Sequence, residues 1–399
     1  MSASIQIEGI RHEIYYRASQ GPLAEGLEPF LALAILPAMK IGAPVSVEGP
    51  VSELLLARIA HLQDMVAAWF DGFQRVPVVA PIRMVPSVGL TRGTGAFFSG
   101  GVDSFYTALK HRTEITQLIF MHGYDLRLDN TALRAQVARA IYQAAADLGK
   151  PVIEVETNAR DLLDTYVDWW RQGCVATIAS IAHLLSPQLQ TIYVAAGTDY
   201  RSLRPAERAP LMIEGWNTRE VEIVDDGREA TRFAKVQRLA ESDIAMRWLR
   251  VCWENRGGAY NCGQCGKCLH TMLNLHMAGA LQKCQTMPHM LDLQAVRQTR
   301  PIHGDRVGFQ QTLAEAERLG TFPEIAAALR QALGAVEARE ADSPATEELY
   351  ETHRRLSRMQ ARLALLTSSH SWRLTAPLRS AAEAARVLKE RSRPWKWKK

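Results

Sequence analysis

Two groups of residues in this chain are spaced as chemistry requires. The first is Ser99-Gly100-Gly101-Val102-Asp103-Ser104, set between a short apolar run and a helical pattern. Glycines let backbone N–H groups approach anionic oxygens, and the free amides of the following helix add the positive end of its dipole. Ser99 and Ser104 add hydroxyl donors, and Asp103 can orient a Mg²⁺ ion or its waters. Such a loop suits a polyphosphate. It is not a Walker A loop, which would need a lysine near its end where this chain has none.

The second group is Cys252, Cys262, Cys265 and Cys268, spaced C-x9-C-x2-C-x2-C. A C-x2-C turn places two thiolates on one cation, and Gly263 and Gly266 let the backbone fold tightly around it. Four thiolates complete a closed tetrahedral Zn²⁺ site, which is structural because no coordination position stays open. A 4Fe–4S cluster is the competing occupant, since C-x2-C-x2-C also occurs in ferredoxin-like ligation. The remaining cysteines, Cys174 and Cys284, read as buried or spare thiols.

The elements around these groups alternate strand and helix. Strands are expected at Ala96–Phe98, Leu118–Met121, Val152–Val155, Thr191–Ala196 and Glu220–Val224. Helical patterns separate them, at Ser104–His111, Thr131–Leu148 and a long stretch, Ala159–Leu185. Strands spaced by helices of this length predict an α/β fold, a parallel sheet covered by helices on both faces. Ligands of such sheets bind at the carboxyl ends of strands, where the Ser99 loop sits. Residues 1–90 read as a small N-terminal α+β unit: strands within Ile5–Arg17 and at Val45–Val47, a helix over Ser52–Phe70, and a strand with linker over Pro77–Pro86. Residues 91–300 form the unit that carries both motifs, 301–345 a helical extension with a helix at Pro323–Arg339, and 346–399 an amphipathic helix followed by a basic tail.

SGGVDS resembles the SGGxDS signature of the N-type ATP pyrophosphatase (PP-loop) superfamily, whose loop holds the departing pyrophosphate. The resemblance implies an adenine nucleotide alpha hydrolase-like fold, with ATP and Mg²⁺ bound by residues 99–104 and with Asp103 and Ser104 acting in cleavage. It also implies that Met121–Asp125, including His122, faces the adenine, that Gly197 and Asp199 make further nucleotide or substrate contacts, and that Lys235 lies near the phosphates. Joined to CWENRGGAYNCGQCGKC, the loop is similar to 7-cyano-7-deazaguanine synthase over roughly residues 94–280, with a similar four-cysteine zinc site. In that family ATP adenylates a carboxylate, and ammonia converts the adenylate to an amide and then a nitrile. DYRSLRPAERAPL departs from that family's pattern, so the acceptor is a small molecule left open.

Two other functions stay in view. PP-loop folds also thiolate RNA, in which case the cysteines would carry sulfur or an iron–sulfur cluster. A nucleotide-binding adaptor is the third reading, because SSHSWRLTAPLRS resembles tails attached to some bacterial glycosyltransferases and hints at a polysaccharide pathway. The formal charge of +5 is concentrated in the tail: Arg386–Lys399 holds seven Lys/Arg and one Glu, leaving the other residues near neutral. A broad nucleic-acid surface is therefore not implied. Trp395 and Trp397 beside lysines suit an anionic membrane surface or a protein partner, and a homodimer is a further open expectation. No secretory leader pattern opens the sequence, and its most apolar stretch, Leu31–Met39, is too short to span a bilayer, so a cytoplasmic location is expected.

Overall fold

The computed structural model describes residues 1–84, 92–203, 210–299, 301 and 304–342. Strands β1 (Ser2–Ile7) and β2 (Ile10–Ala18) make a hairpin, followed by helix α1 (Glu28–Ile41). Four two-residue strands, β3 (Val45–Ser46), β4 (Val51–Ser52), β5 (Val78–Val79) and β6 (Ile82–Arg83), flank α2 (Glu53–Trp69) and pair in parallel, β3 with β5 and β4 with β6. The alternating part then runs β7 (Gly93–Phe97), α3 (Val102–Lys110), β8 (Gln117–His122), α4 (Thr131–Leu148), β9 (Val152–Thr157), α5 (Ala159–Tyr166) and α6 (Cys174–Leu184). It continues with β10 (Leu189–Ala195), α7 (Pro210–Glu214), β11 (Glu222–Asp226), α8 (Arg232–Ala240) and α9 (Asp243–Trp248). Helices α10 (Gly266–Met277), α11 (Leu293–Gln298), α12 (Gly304–Leu319) and α13 (Pro323–Asp342) complete the described chain. The helix and basic tail expected over 346–399 lie outside the described residues, as do residues 85 and 86 of the expected strand and linker.

One sheet organises the molecule, in the order β1-β2-β9-β8-β7-β10-β11. Strands β9, β8, β7, β10 and β11 are all parallel, as alternation with helices requires. The sheet as a whole is mixed, because β2 joins β9 antiparallel, Tyr16 opposite Thr157 and Ala18 opposite Val155. Side chains alternate between two cores. Phe97, Ile119, Ile153 and Ile192 point to one, shared with α1, α5 and α6, while Ala96, Phe98, Leu118 and Phe120 point to the other, shared with α3, α4 and α9. Helices thus cover both faces. The first core takes in residues from Ile7 to Val76 as well as from Phe97 to Ile223, which is why α1 is apolar nearly all round.

The expected long helix over Ala159–Leu185 is broken. Val167 is extended (φ −130°, ψ 168°), and the Asp168 carboxylate accepts from Arg171 N at 2.7 Å to start one π turn, Trp169–Gly173, before α6 begins. The break sends neighbouring indoles in opposite directions: Trp169 is buried edge-on to Tyr124, and Trp170 is 42 % exposed.

Inside this core, burial on α6 lowers the pKa of His183 from 6.5 to about 4. The folded chain holds this ring neutral where the unfolded chain would protonate it, so its stabilising contribution is full above pH 6.5 and declines as pH falls toward 4. Urea unfolding across that window should show a slope contribution of about 1.4 kcal/mol per pH unit that His183→Gln removes. An unchanged slope in the variant would mean that His183 is protonated in the folded state.

Candidate functional site

The chain leaves β7 through α3 to β8 and β9 on one side, then returns to β10 and β11 on the other. Strands β7 and β10 are therefore neighbours whose outgoing loops diverge, and a crevice of this kind is where open parallel sheets bind ligands. Ser99–Ser104 leaves β7 there, and Gly197 follows β10.

Gly100 sits at φ 74°, a left-handed conformation, and a Cβ on it would come within 3.3 Å of Ile141 Cδ1, so both backbone and space call for glycine. Gly101 is extended and opens α3, whose backbone ladder starts with Phe105 N donating to Gly101 O at 2.9 Å. The amides of Val102, Asp103 and Ser104 precede that bond and belong to the open end of the helix. Ser104 Oγ donates to Gly101 O at 3.1 Å, Gly101 N donates to Ser99 Oγ at 3.4 Å, and the two hydroxyls lie 3.4 Å apart. Both serines shape the loop from inside.

Helix α8 brings two cations to the first turn of α3. Arg232 Nη1 donates to Asp103 Oδ2 at 2.6 Å, and Lys235 Nζ donates to Asp103 Oδ1 at 3.1 Å and to Ala196 O, at the end of β10, at 2.6 Å. Burial pushes the Asp103 carboxyl up, but Arg232 and then Lys235 outweigh it and hold the group far below the ordinary carboxylate range. The three side chains together keep one uncompensated positive charge beside the loop. Arg232 escaped the sequence reading although it lies three residues before Lys235, on the same helix face.

Other expected site residues fall at varying removes. Gly197 follows the carbonyl that Lys235 holds, and a Cβ there would meet open space. Asp199 is buried and turned onto its own loop: Oδ1 accepts from Arg201 N and Ser202 N at 2.8 and 3.1 Å, and Oδ2 accepts from Gln311 Nε2 at 2.8 Å. His122, at the end of β8, is buried; its Nε2 pairs with Glu154 and its Nδ1 accepts from Arg134 Nε at 3.2 Å, so both ring nitrogens are engaged within the chain.

The Cys252, Cys262, Cys265 and Cys268 sulfurs all lie within 4.8 Å of one another, with Cys252–Cys265 at 3.8 Å and Cys262–Cys268 at 4.0 Å. Four thiolates on one tetrahedral ion with Zn–S bonds of about 2.3 Å stand about 3.8 Å apart. The cluster fits one ion of that kind. In a cubane each thiolate binds a different iron, which sets the sulfurs further apart. Backbone amides already point at the sulfurs: Asn255 N to Cys252 Sγ at 3.1 Å, Cys265 N to Cys262 Sγ at 3.3 Å, and Cys268 N to Cys265 Sγ at 3.5 Å. Buried Asn261 fixes the loop, its Oδ1 accepting from Val251 N and Cys252 N and its Nδ2 donating to Leu249 O and Thr286 O.

The cysteine loop braces the glycine loop. Arg250 N, two residues before Cys252, donates to Gly100 O at 2.8 Å. Beyond Cys252, Trp253 stands edge-on to Trp170 at 6.3 Å between ring centroids, with Lys267 Nζ 5.9 Å from the Trp170 ring. None of this pairing is visible in the spacing of the motifs. No protein-family model, curated protein or solved structure matches the chain. The chemistry of the site has to be read from its own side chains. Among the described residues, no helix is long and apolar enough to cross a membrane.

Proposed function

We propose that the chain is a PP-loop enzyme that binds ATP at Ser99–Ser104, cleaves it between the α and β phosphates, and uses the adenylate to join an amine or ammonia to an acceptor acid. The observation that carries this reading is the placement of SGGVDS at the switch point of the parallel sheet, beside an Asp103–Arg232–Lys235 group with surplus positive charge. An acceptor carboxylate oxygen attacks the α-phosphorus, the bond from that phosphorus to the bridging oxygen breaks, and pyrophosphate leaves. Ammonia then attacks the acyl carbon, the amide forms with loss of a proton, and AMP departs. Lys235 and Arg232 supply fixed charge where negative charge gathers on pyrophosphate, and the amides that open α3 hold its oxygens. Mg²⁺ arriving with ATP would add charge neutralisation at these phosphates, but both oxygens of Asp103, expected to orient it, are held by Arg232 and Lys235. The indoles of Trp170 and Trp253, with Lys267, offer an aromatic and cationic surface to an acceptor acid.

Zinc is the proposed ion of the four-cysteine site, in a structural role, since four sulfurs leave no position for a reacting group. That closure favours ligase chemistry over RNA thiolation, because the other two cysteines, Cys174 and Cys284, are both buried. Metal-replete chain with α-labelled ATP, Mg²⁺ and a fractionated metabolite extract is expected to release AMP and pyrophosphate. Formation of ADP would overturn the cleavage position. ATP binding without either product would favour a nucleotide-binding adaptor.

A further inference from the structure

Arg250 is 6 % exposed, and its Nε finds no hydrogen-bond partner among the described residues. Its side chain bonds a neutral group, Nη2 donating to Asn255 Oδ1 at 3.3 Å. A buried arginine stays protonated, and a guanidinium withdrawn from water with hydrogen-bond donors unspent is costly. The position is specific. The Arg250 backbone is bonded to Gly100, and its Cβ lies 3.7 Å from where a Gly100 Cβ would stand. Arg232 also has a buried Nε without a partner. Both residues border the loop that would hold a polyphosphate, Arg232 through its guanidinium and Arg250 through its backbone and Cβ, and each keeps a buried Nε–H without a partner among the described residues.

We infer that Arg250 is a ligand of the nucleotide's α-phosphate, carried to the glycine loop by the cysteine knuckle. The inference rests on the nucleotide reading of Ser99–Ser104. Arg232 and Lys235 reach the loop through α3 from the β10 side, whereas Arg250 meets Gly100 beside Ile141 of α4, the helix that follows β8. That side would face the nucleoside, so the phosphate within reach is the one attached to it. A planar guanidinium there can donate to two α-phosphate oxygens and meet the charge that develops as the phosphorus is attacked.

The test is calorimetric binding of ATP, AMP, pyrophosphate and adenosine to the full-length, metal-loaded chain and to Arg250→Gln and Arg250→Lys, with melting curves for all three proteins. Arg250→Gln should weaken ATP and AMP alike, by about 10- to 100-fold for one charged hydrogen-bonding partner. Pyrophosphate and adenosine should bind as before, Arg250→Lys should recover part of the loss, and the ligand-free Gln variant should melt close to the parent, because Gln can still donate to Asn255 Oδ1. Equal ATP binding by parent and Arg250→Gln would overturn the assignment. So would a lower melting temperature with a parallel loss of adenosine, which marks a structural residue, or weakening confined to pyrophosphate. A parent that binds neither ATP nor pyrophosphate would instead remove the nucleotide reading itself, and this inference with it.

Discussion

Replacing Lys235 with methionine is expected to destabilise the chain by about 3 kcal/mol and to abolish AMP formation. The side chain is 1 % exposed, so methionine keeps most of its packing while deleting the charge. Two partners are then stranded: Ala196 O loses its 2.6 Å donor, and Asp103 Oδ1 loses its cation. Arg232 still neutralises Asp103, which holds the cost to the lower end of what a broken buried pair gives. Nucleotide affinity should fall for a separate reason, because the surplus positive charge beside the loop disappears. Asp103→Asn placed on Lys235→Met removes the carboxylate that Arg232 still pairs with, so urea unfolding should show a further loss of stability, with AMP formation still absent. A Lys235→Met chain that kept both its stability and its AMP formation would show that the buried pair contributes to neither.

The parts of this molecule that were legible in the sequence are those whose cause is local. Strands β7 to β11 were expected within a few residues of where they lie, because each is an apolar run bounded by helical patterns. The helix over Thr131–Leu148 ends where Gly149 takes a left-handed cap, which a glycine after a periodic run announces. The break at Val167 was hidden because Trp169, Trp170 and Cys174 continue an apolar pattern, and only the Asp168 cap and a wide turn divide it. Edge pairing of β2 with β9 joins residues about 140 apart and leaves no periodic trace. The site divides in the same way. The glycine loop and the cysteines are contiguous motifs, whereas the approach of Arg232 to Asp103 and of Arg250 to Gly100 depends on long-range packing. The interior bonds of Asp199 and His122 depend on it too.

That long-range brace gives metal removal an effect beyond its own loop. Cys265 is fully buried, stands 3.8 Å from Cys252, and caps α10 by accepting from Cys268 N at 3.5 Å. Its replacement by serine removes one thiolate ligand while leaving a hydroxyl that can still cap the helix. A bound ion at a thousandfold its dissociation constant contributes about 4 kcal/mol to folding, so chelation or Cys265→Ser should lower the melting temperature on the order of 8 °C. Metal content should drop from one ion per chain, while Cys284→Ser, altering a buried thiol outside the four-sulfur cluster, should retain it. The decisive reading lies at the other motif. Arg250 N holds Gly100 O from a segment that Cys252 and Asn261 fix, so loss of the ion frees that segment and with it the glycine loop. Hydrogen exchange at Gly101–Phe105 is expected to accelerate in the metal-free chain, and ATP affinity to fall with it. Unchanged exchange at those amides after the ion has gone would mean that the core beneath β7 holds the loop without help from the knuckle.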